Sequence, residues 1–173
     1  RFRVASVPEA SNVYLGLNWA RRDLGFHDLR VRRAVSLAVD RSALVADLLD
    51  GRGRATYGPV PPGAEFYDPE PDRLGRHDPR EAASLLEQAG WVPGPDGLRR
   101  KNRVGLSFDC VVQQDSVLEA AARLVQAQLR RVGVGLKPLA VRPFAPFYAR
   151  LAEGPPSFLS KWLWPDPIDA LAG

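Results

Sequence analysis

Apolar and less apolar side chains alternate from Asn12 to Trp19, with Val13, Leu15 and Leu17 on one face, and this two-residue period predicts a strand. Past a polar loop the period lengthens. Val31, Ala34, Val35, Ala38 and Val39 recur at helical spacing behind Asp28, a residue suited to cap the first turn. Arg30, Arg32, Arg33 and Arg41 are expected to face mostly solvent. Asp40 can cap a second, shorter helix carrying Ala43, Leu44, Leu48 and Leu49, and Gly51 can take the left-handed backbone at its end. Residues 52–77, which include Gly58-Pro59-Val60-Pro61-Pro62, show neither period, so a long functional or surface-wrapping loop is expected there.

Asp78-Pro79-Arg80-Glu81 combines a cap, a proline tolerated in the first turn and an acid near the positive helix end. It opens a helix whose buried face is Ala82, Leu85, Leu86 and Ala89 and which stops at Gly90. Residues 93–97 read as a turn, and Arg99, Arg100, Lys101 and Arg103 as the decoration of a solvated hairpin. Leu106, Phe108 and Cys110 alternate along a second strand. Ser116 and Glu119 have capping-box spacing ahead of a long helix with Leu118, Ala121, Val125, Leu129 and Val132 on one side. A third strand is expected over Val134 to Val141, a short helix from Pro143 to about Leu151, and a fourth strand from Ser157 to Trp164.

This alternation predicts an α/β fold with a mainly parallel sheet, right-handed crossovers and helices on both faces. Ligands on such sheets gather at the carboxyl ends of the strands, which directs attention to residues 162–167.

The remaining composition narrows the chemistry. Of 173 residues 45% are hydrophobic, enough for one ordinary domain core, and no apolar run is long enough for a membrane helix. The net charge of +4 is interleaved with carboxylates along the chain, so nucleic acid is not an expected partner. A single cysteine, Cys110, excludes an internal disulfide and reads as a small buried side chain. His27 and His77 stand fifty positions apart in polar loops, without the spacing of a metal site or a neighbouring nucleophile. Gly51-Arg52-Gly53 follows a helix and lacks a third glycine, so it does not cradle phosphate. No enzyme, cofactor or metal is expected.

Several ordered segments resemble the family 5 bacterial extracellular solute-binding proteins. They are Tyr14-Leu15-Gly16-Leu17-Asn18, the helix V-R-R-A-V-S-L-A-V-D-R from Val31 to Arg41, the G-P-V-P-P loop, D-P-R-E-A-A-S-L-L-E-Q-A-G-W from Asp78 to Trp91, A-R-L-V-Q-A-Q-L-R-R-V-G-V from Ala122 to Val134, and W-L-W-P-D-P from Trp162 to Pro167. The resemblance implies a periplasmic-binding-protein-like type II lobe, with residues 1–173 forming most of the C-terminal lobe of a two-lobed clamp. It also implies a monomeric, extracytoplasmic protein, periplasmic or lipid-anchored at the outer face of the cell membrane, that delivers peptides or similar small solutes to an ABC transporter permease. Peptide-binding relatives place a carboxylate shortly after a tryptophan to meet the ligand's amino terminus; here that stretch departs from the W-x-x-D-Y pattern, so that either Asp166 takes the role or the solute is not a free peptide amine. Trp162, Leu163, Trp164, Asp166 and Asn18 are the expected ligand-binding residues, with at least one of the two indoles lining a ligand surface. The rival expectation is a solute-sensing, effector-binding module of a regulator with the same fold.

Overall fold

The computed structural model describes residues 11–62, 64–141 and 144–163; the side chains of Phe144, Trp162 and Leu163 are not described. The amino-terminal part runs β1 (Ser11–Leu17), a 3-10 turn (Arg22–Leu24), α1 (Leu29–Ala38), α2 (Arg41–Leu49), α3 (Glu70–Leu74) and α4 (Pro79–Gln88). Three short strands follow, β2 (Val92–Pro93), β3 (Arg99–Lys101) and β4 (Val104–Gly105). The chain then alternates through β5 (Ser107–Gln113), α5 (Ser116–Arg131), β6 (Gly135–Val141), α6 (Phe144–Ala152) and β7 (Ser157–Leu163).

The principal sheet has the order β1-β7-β5-β6. β5 lies parallel to both β6 and β7, while β1 is antiparallel to β7 along its whole length, from Ser11 opposite Leu163 to Leu17 opposite Ser157. The sheet is thus mainly parallel with one antiparallel edge. Phe108, Cys110 and Val112 of β5 and Leu159 of β7 are buried in one core with α1 and α5, and Leu15 and Leu17 pack against it. α5 contributes Leu118, Ala121, Ala122, Val125 and Leu129, the stripe expected from its spacing. Burial pushes the Cys110 thiol up to about 11, as befits a core side chain. On the opposite face α6 lies against β5 and β6, with Phe147 fully buried and Val111 3% exposed. Gly16 is required by close packing: a side chain there would run into the Phe158 ring, its cross-strand partner.

Most helix starts are built from the expected caps. The Asp28, Asp40 and Asp78 carboxylates accept from the backbone N–H of Arg30, Ala43 and Glu81. α5 is the exception. Asp115, in an extended conformation, accepts from Val117 and Leu118, one position ahead of the expected Ser116 cap, and Ser116 is already helical. The expected loop over residues 52–77 contains α3, pinned by the Asp72 carboxylate, which accepts from the Tyr57 N–H at 2.5 Å and the Tyr67 hydroxyl at 2.7 Å.

Two arginine expectations are overturned. Arg99 is 6% exposed. Its Nε donates to the Val132 carbonyl at 2.8 Å, one Nη to the Trp91 carbonyl at 2.9 Å, and the other to Glu87 at 3.1 Å. The small antiparallel sheet β2-β3-β4 turns this residue inward, where the ends of α4 and α5 leave carbonyls without helical partners. Gly133, at φ +82, makes the room, because a Cβ there would sit 2.8 Å from Arg99 Cγ. Arg41, expected in solvent, instead lies over the Tyr57 ring at 4.2 Å and donates to the Ser36 carbonyl and hydroxyl.

Replacing Arg99 with Met orphans two buried carbonyls and is expected to cost about 2–4 kcal/mol, read as a lowered urea midpoint at unchanged slope, whereas Arg103→Met, on an exposed residue, leaves the midpoint in place. Asp115→Ala should cost about 1 kcal/mol in the same assay and Ser116→Ala much less, the reverse of what a Ser116 cap requires.

Candidate functional site

The carboxyl ends of β5, β6 and β7 share one rim of the sheet, and the antiparallel register adds the amino end of β1 to it. Gln113, Gln114 and the Asp115 cap of α5 stand at the end of β5. Trp162 and Leu163 occupy the last two positions of β7, opposite Asn12 and Ser11. Trp164 and Asp166, with the side chains of Trp162 and Leu163, lie outside the described residues.

Asn18 is not brought to that rim. It follows β1 at the other end of the strand, about 20 Å from Asn12 at the rise of an extended chain. There its amide Nδ2 donates to the Gly154 carbonyl at 3.1 Å, its Oδ1 accepts from the Ala20 N–H, and its own N–H reaches Pro156. These bonds tie the start of β7 to the end of β1, an architectural task.

Near the rim a polar group spans three strands. Ser160, 2% exposed, donates to Gln113 Oε1 at 2.7 Å, joining β7 to β5. Tyr14 of β1 faces Ser160 in register and meets the Phe158 ring edge-on at 5.6 Å. Burial raises the Tyr14 phenol pKa, with hydrogen bonding to Ser160 pulling the other way. Sequence reasoning passed over this trio. Its signal was the period of β1 and β7, which sets Tyr14 and Ser160 among apolar neighbours, but the pairing that joins them spans nearly the whole chain.

A groove of about 850 Å³ runs along β1, between that strand, α1, α2 and residues 56–59. Val13, Leu15, Leu17, Val35, Val39 and Leu44 supply apolar wall. Its charged lining is Arg32, held over the Trp19 ring at 4.4 Å, and Arg41 over Tyr57. Among the described residues no group of three or more metal-ligating side chains occurs, and no helix is long and apolar enough to cross a membrane.

The sequence model of the bacterial extracellular solute-binding proteins, family 5 middle, matches residues 1–173. The chain belongs to that family.

Among similar proteins of the family, the oligopeptide-binding protein AppA of Bacillus subtilis is 33% identical over 130 residues, covering 73% of this chain and 24% of the relative. The nickel-binding periplasmic protein of Escherichia coli is 29% identical over 166 residues, covering 91% of this chain and 30% of that protein. The solved structure of Bacillus subtilis AppA in complex with a nonapeptide superposes with a TM-score of 0.74 at 27% identity, over 89% of this chain and 31% of that one. NikA from Brucella suis, solved with Fe(III)-EDTA, gives 0.77 at 27% identity over 92% and 32%. The chain therefore spans less than a third of each of these proteins. Family 5 consists of binding proteins that work outside the cytoplasm. The mainly parallel, helix-flanked sheet is the periplasmic-binding-protein fold.

Because the Tyr14 phenol pKa is raised in the folded state, the unfolded chain loses this proton first as pH climbs through 10.0. The stability Tyr14 contributes is intact below pH 10.0 and falls as pH rises from there through the folded value. Urea midpoints of the parent and Tyr14→Phe chains, compared across that range, should show the parent losing more stability than the variant; parallel profiles would deny Tyr14 its protected setting.

Proposed function

We propose that residues 1–173 form one lobe of a two-lobed, substrate-binding component of an ABC importer, which holds a peptide or similar small solute between its lobes and presents it to a membrane permease. The family match across the entire chain carries this reading. Peptide is favoured as cargo because the Bacillus subtilis relative is an oligopeptide-binding protein with a nonapeptide-bound structure. In this reading the protein works outside the cytoplasm, periplasmic or lipid-anchored at the outer face of the cell membrane, and catalyses nothing.

The solute wall is the rim where β5, β7 and β1 meet. Gln113, held by Ser160, offers an amide to a peptide backbone. Trp162, Leu163 and Trp164 supply apolar surface, and Asp166 meets the peptide's ammonium group. A buried cation without its counter-charge costs several kcal/mol, so this carboxylate is central to a peptide cargo.

Fluorescence titration of the full-length gene product with a peptide library tests the assignment. Free-amine peptides should bind, and Asp166→Asn should weaken them at least tenfold while leaving N-acetylated peptides unchanged. A response to metal chelates or sugars with none to any peptide would overturn the cargo.

A further inference from the structure

The groove along β1 carries two cations and no anion. Arg32 and Arg41 both line it, and its described lining contains no Asp, Glu or Lys. Among the described residues neither arginine forms a carboxylate ion pair. Each guanidinium is instead stacked on an aromatic ring and bonded to neutral acceptors, and the carboxylate that acts on Arg41 is Asp72, which is engaged by the Tyr57 N–H and the Tyr67 hydroxyl and does not line the groove. Arg32 donates to the Phe26 and His27 carbonyls, and Arg41 to Ser36. Charged groups held rigidly over rings, with N–H donors to spare, form a prepared site for carboxylates.

The two cations stand at opposite ends. Arg32 lies in the first turn of α1, and Arg41 opens α2 beyond two extended residues, Val39 and Asp40, with its guanidinium turned back onto Ser36. Arg32 is pinned over Trp19, just past the end of β1, and Arg41 over Tyr57, beside the loop that Asn12 Nδ2 grips at the Pro59 carbonyl, 2.6 Å away. Between them the wall is apolar, and part of it is left uncovered. Val13 is 48% exposed, and α2, which lends Leu44 to the groove, buries none of its residues. The volume lies within the ordinary range for small-molecule sites.

We propose that this groove binds an elongated dianion, an apolar chain with a carboxylate at each end, one acid meeting Arg32 and the other Arg41. The occupant is a small molecule because the groove is bounded along its length by β1 and α1 and gripped at one end by the Asn12–Pro59 bond. At Asn12, Val13 and Tyr14 the groove adjoins the rim proposed for the cargo, but its two arginines lie outside that rim, and the inference stands whether or not that cargo is a peptide.

Calorimetric titration of the chain with α,ω-dicarboxylates from succinate to sebacate, with octanoate as the monoacid, tests the proposal. The longer diacids should bind, and the best of them should exceed octanoate by at least about tenfold. Arg32→Gln and Arg41→Gln should each bring that diacid down to the level of octanoate. Val13→Glu, at an exposed position, places a competing carboxylate in the groove without disturbing the core and should abolish binding, while Arg103→Gln, on a remote hairpin, changes nothing. Equal affinity for monoacid and diacid, no heat from any diacid, or unchanged binding by Arg32→Gln and Val13→Glu would overturn it. So would a dimer in sedimentation that Val13→Glu dissolves, which would assign the groove to a second copy, or loss of diacid binding in the full-length gene product, which would assign it to another segment of the polypeptide.

Discussion

Seven residues near one end of the chain and seven near the other, Ser11–Leu17 and Ser157–Leu163, pair antiparallel, and the architecture turns on that ladder. β7 is inserted between β1 and β5, parallel to one and antiparallel to the other. It therefore joins the helical first half of the chain to the β-α-β second half through backbone hydrogen bonds. The same register brings Tyr14 beside Ser160 and sets Asn12 opposite Trp162. Loop-closure entropy makes such a long-range pairing costly to form. The side chains that consolidate it are accordingly specific: Phe158 against the bare face of Gly16, Tyr14 edge-on to Phe158, and the Asn18 amide clasping Gly154.

Local chemistry was readable in the sequence wherever a few neighbouring residues decided the outcome. Asp28, Asp40 and Asp78 cap as their spacing implies, and α5 buries its predicted stripe. Ser116 was misplaced by one position because Asp115 competes for the same N–H groups and its charged carboxylate is the stronger acceptor. Arg99 looked like one of a run of solvated cations. What draws it inward is the pair of carbonyls at Trp91 and Val132, whose lack of helical partners emerges only once α4 and α5 end side by side. Arg41 was likewise claimed by Tyr57, sixteen positions away across a loop without periodicity.

The family resemblance pointed to the correct fold, and for the ligand it named both the end of β7 and Asn18. That residue belongs to the same strand as Tyr14 and to the opposite end of the sheet. Periodicity can say that two residues share a strand; it does not say which end of the strand meets the carboxyl rim, since that depends on whether the strand runs with or against its neighbour. β1 runs against β7, so its first residues, not its last, reach the rim.

The account rests on the rim formed by the ends of β5 and β7 and the start of β1 being the wall that meets the cargo. Hydrogen–deuterium exchange on the full-length protein, with and without a saturating peptide, reads this directly. The account predicts added protection at residues 11–14, 113–116 and 160–166. Protection confined to the far end of the sheet, around Asn18 and Gly154, or absent from all three rim segments while peptide is bound, would contradict it.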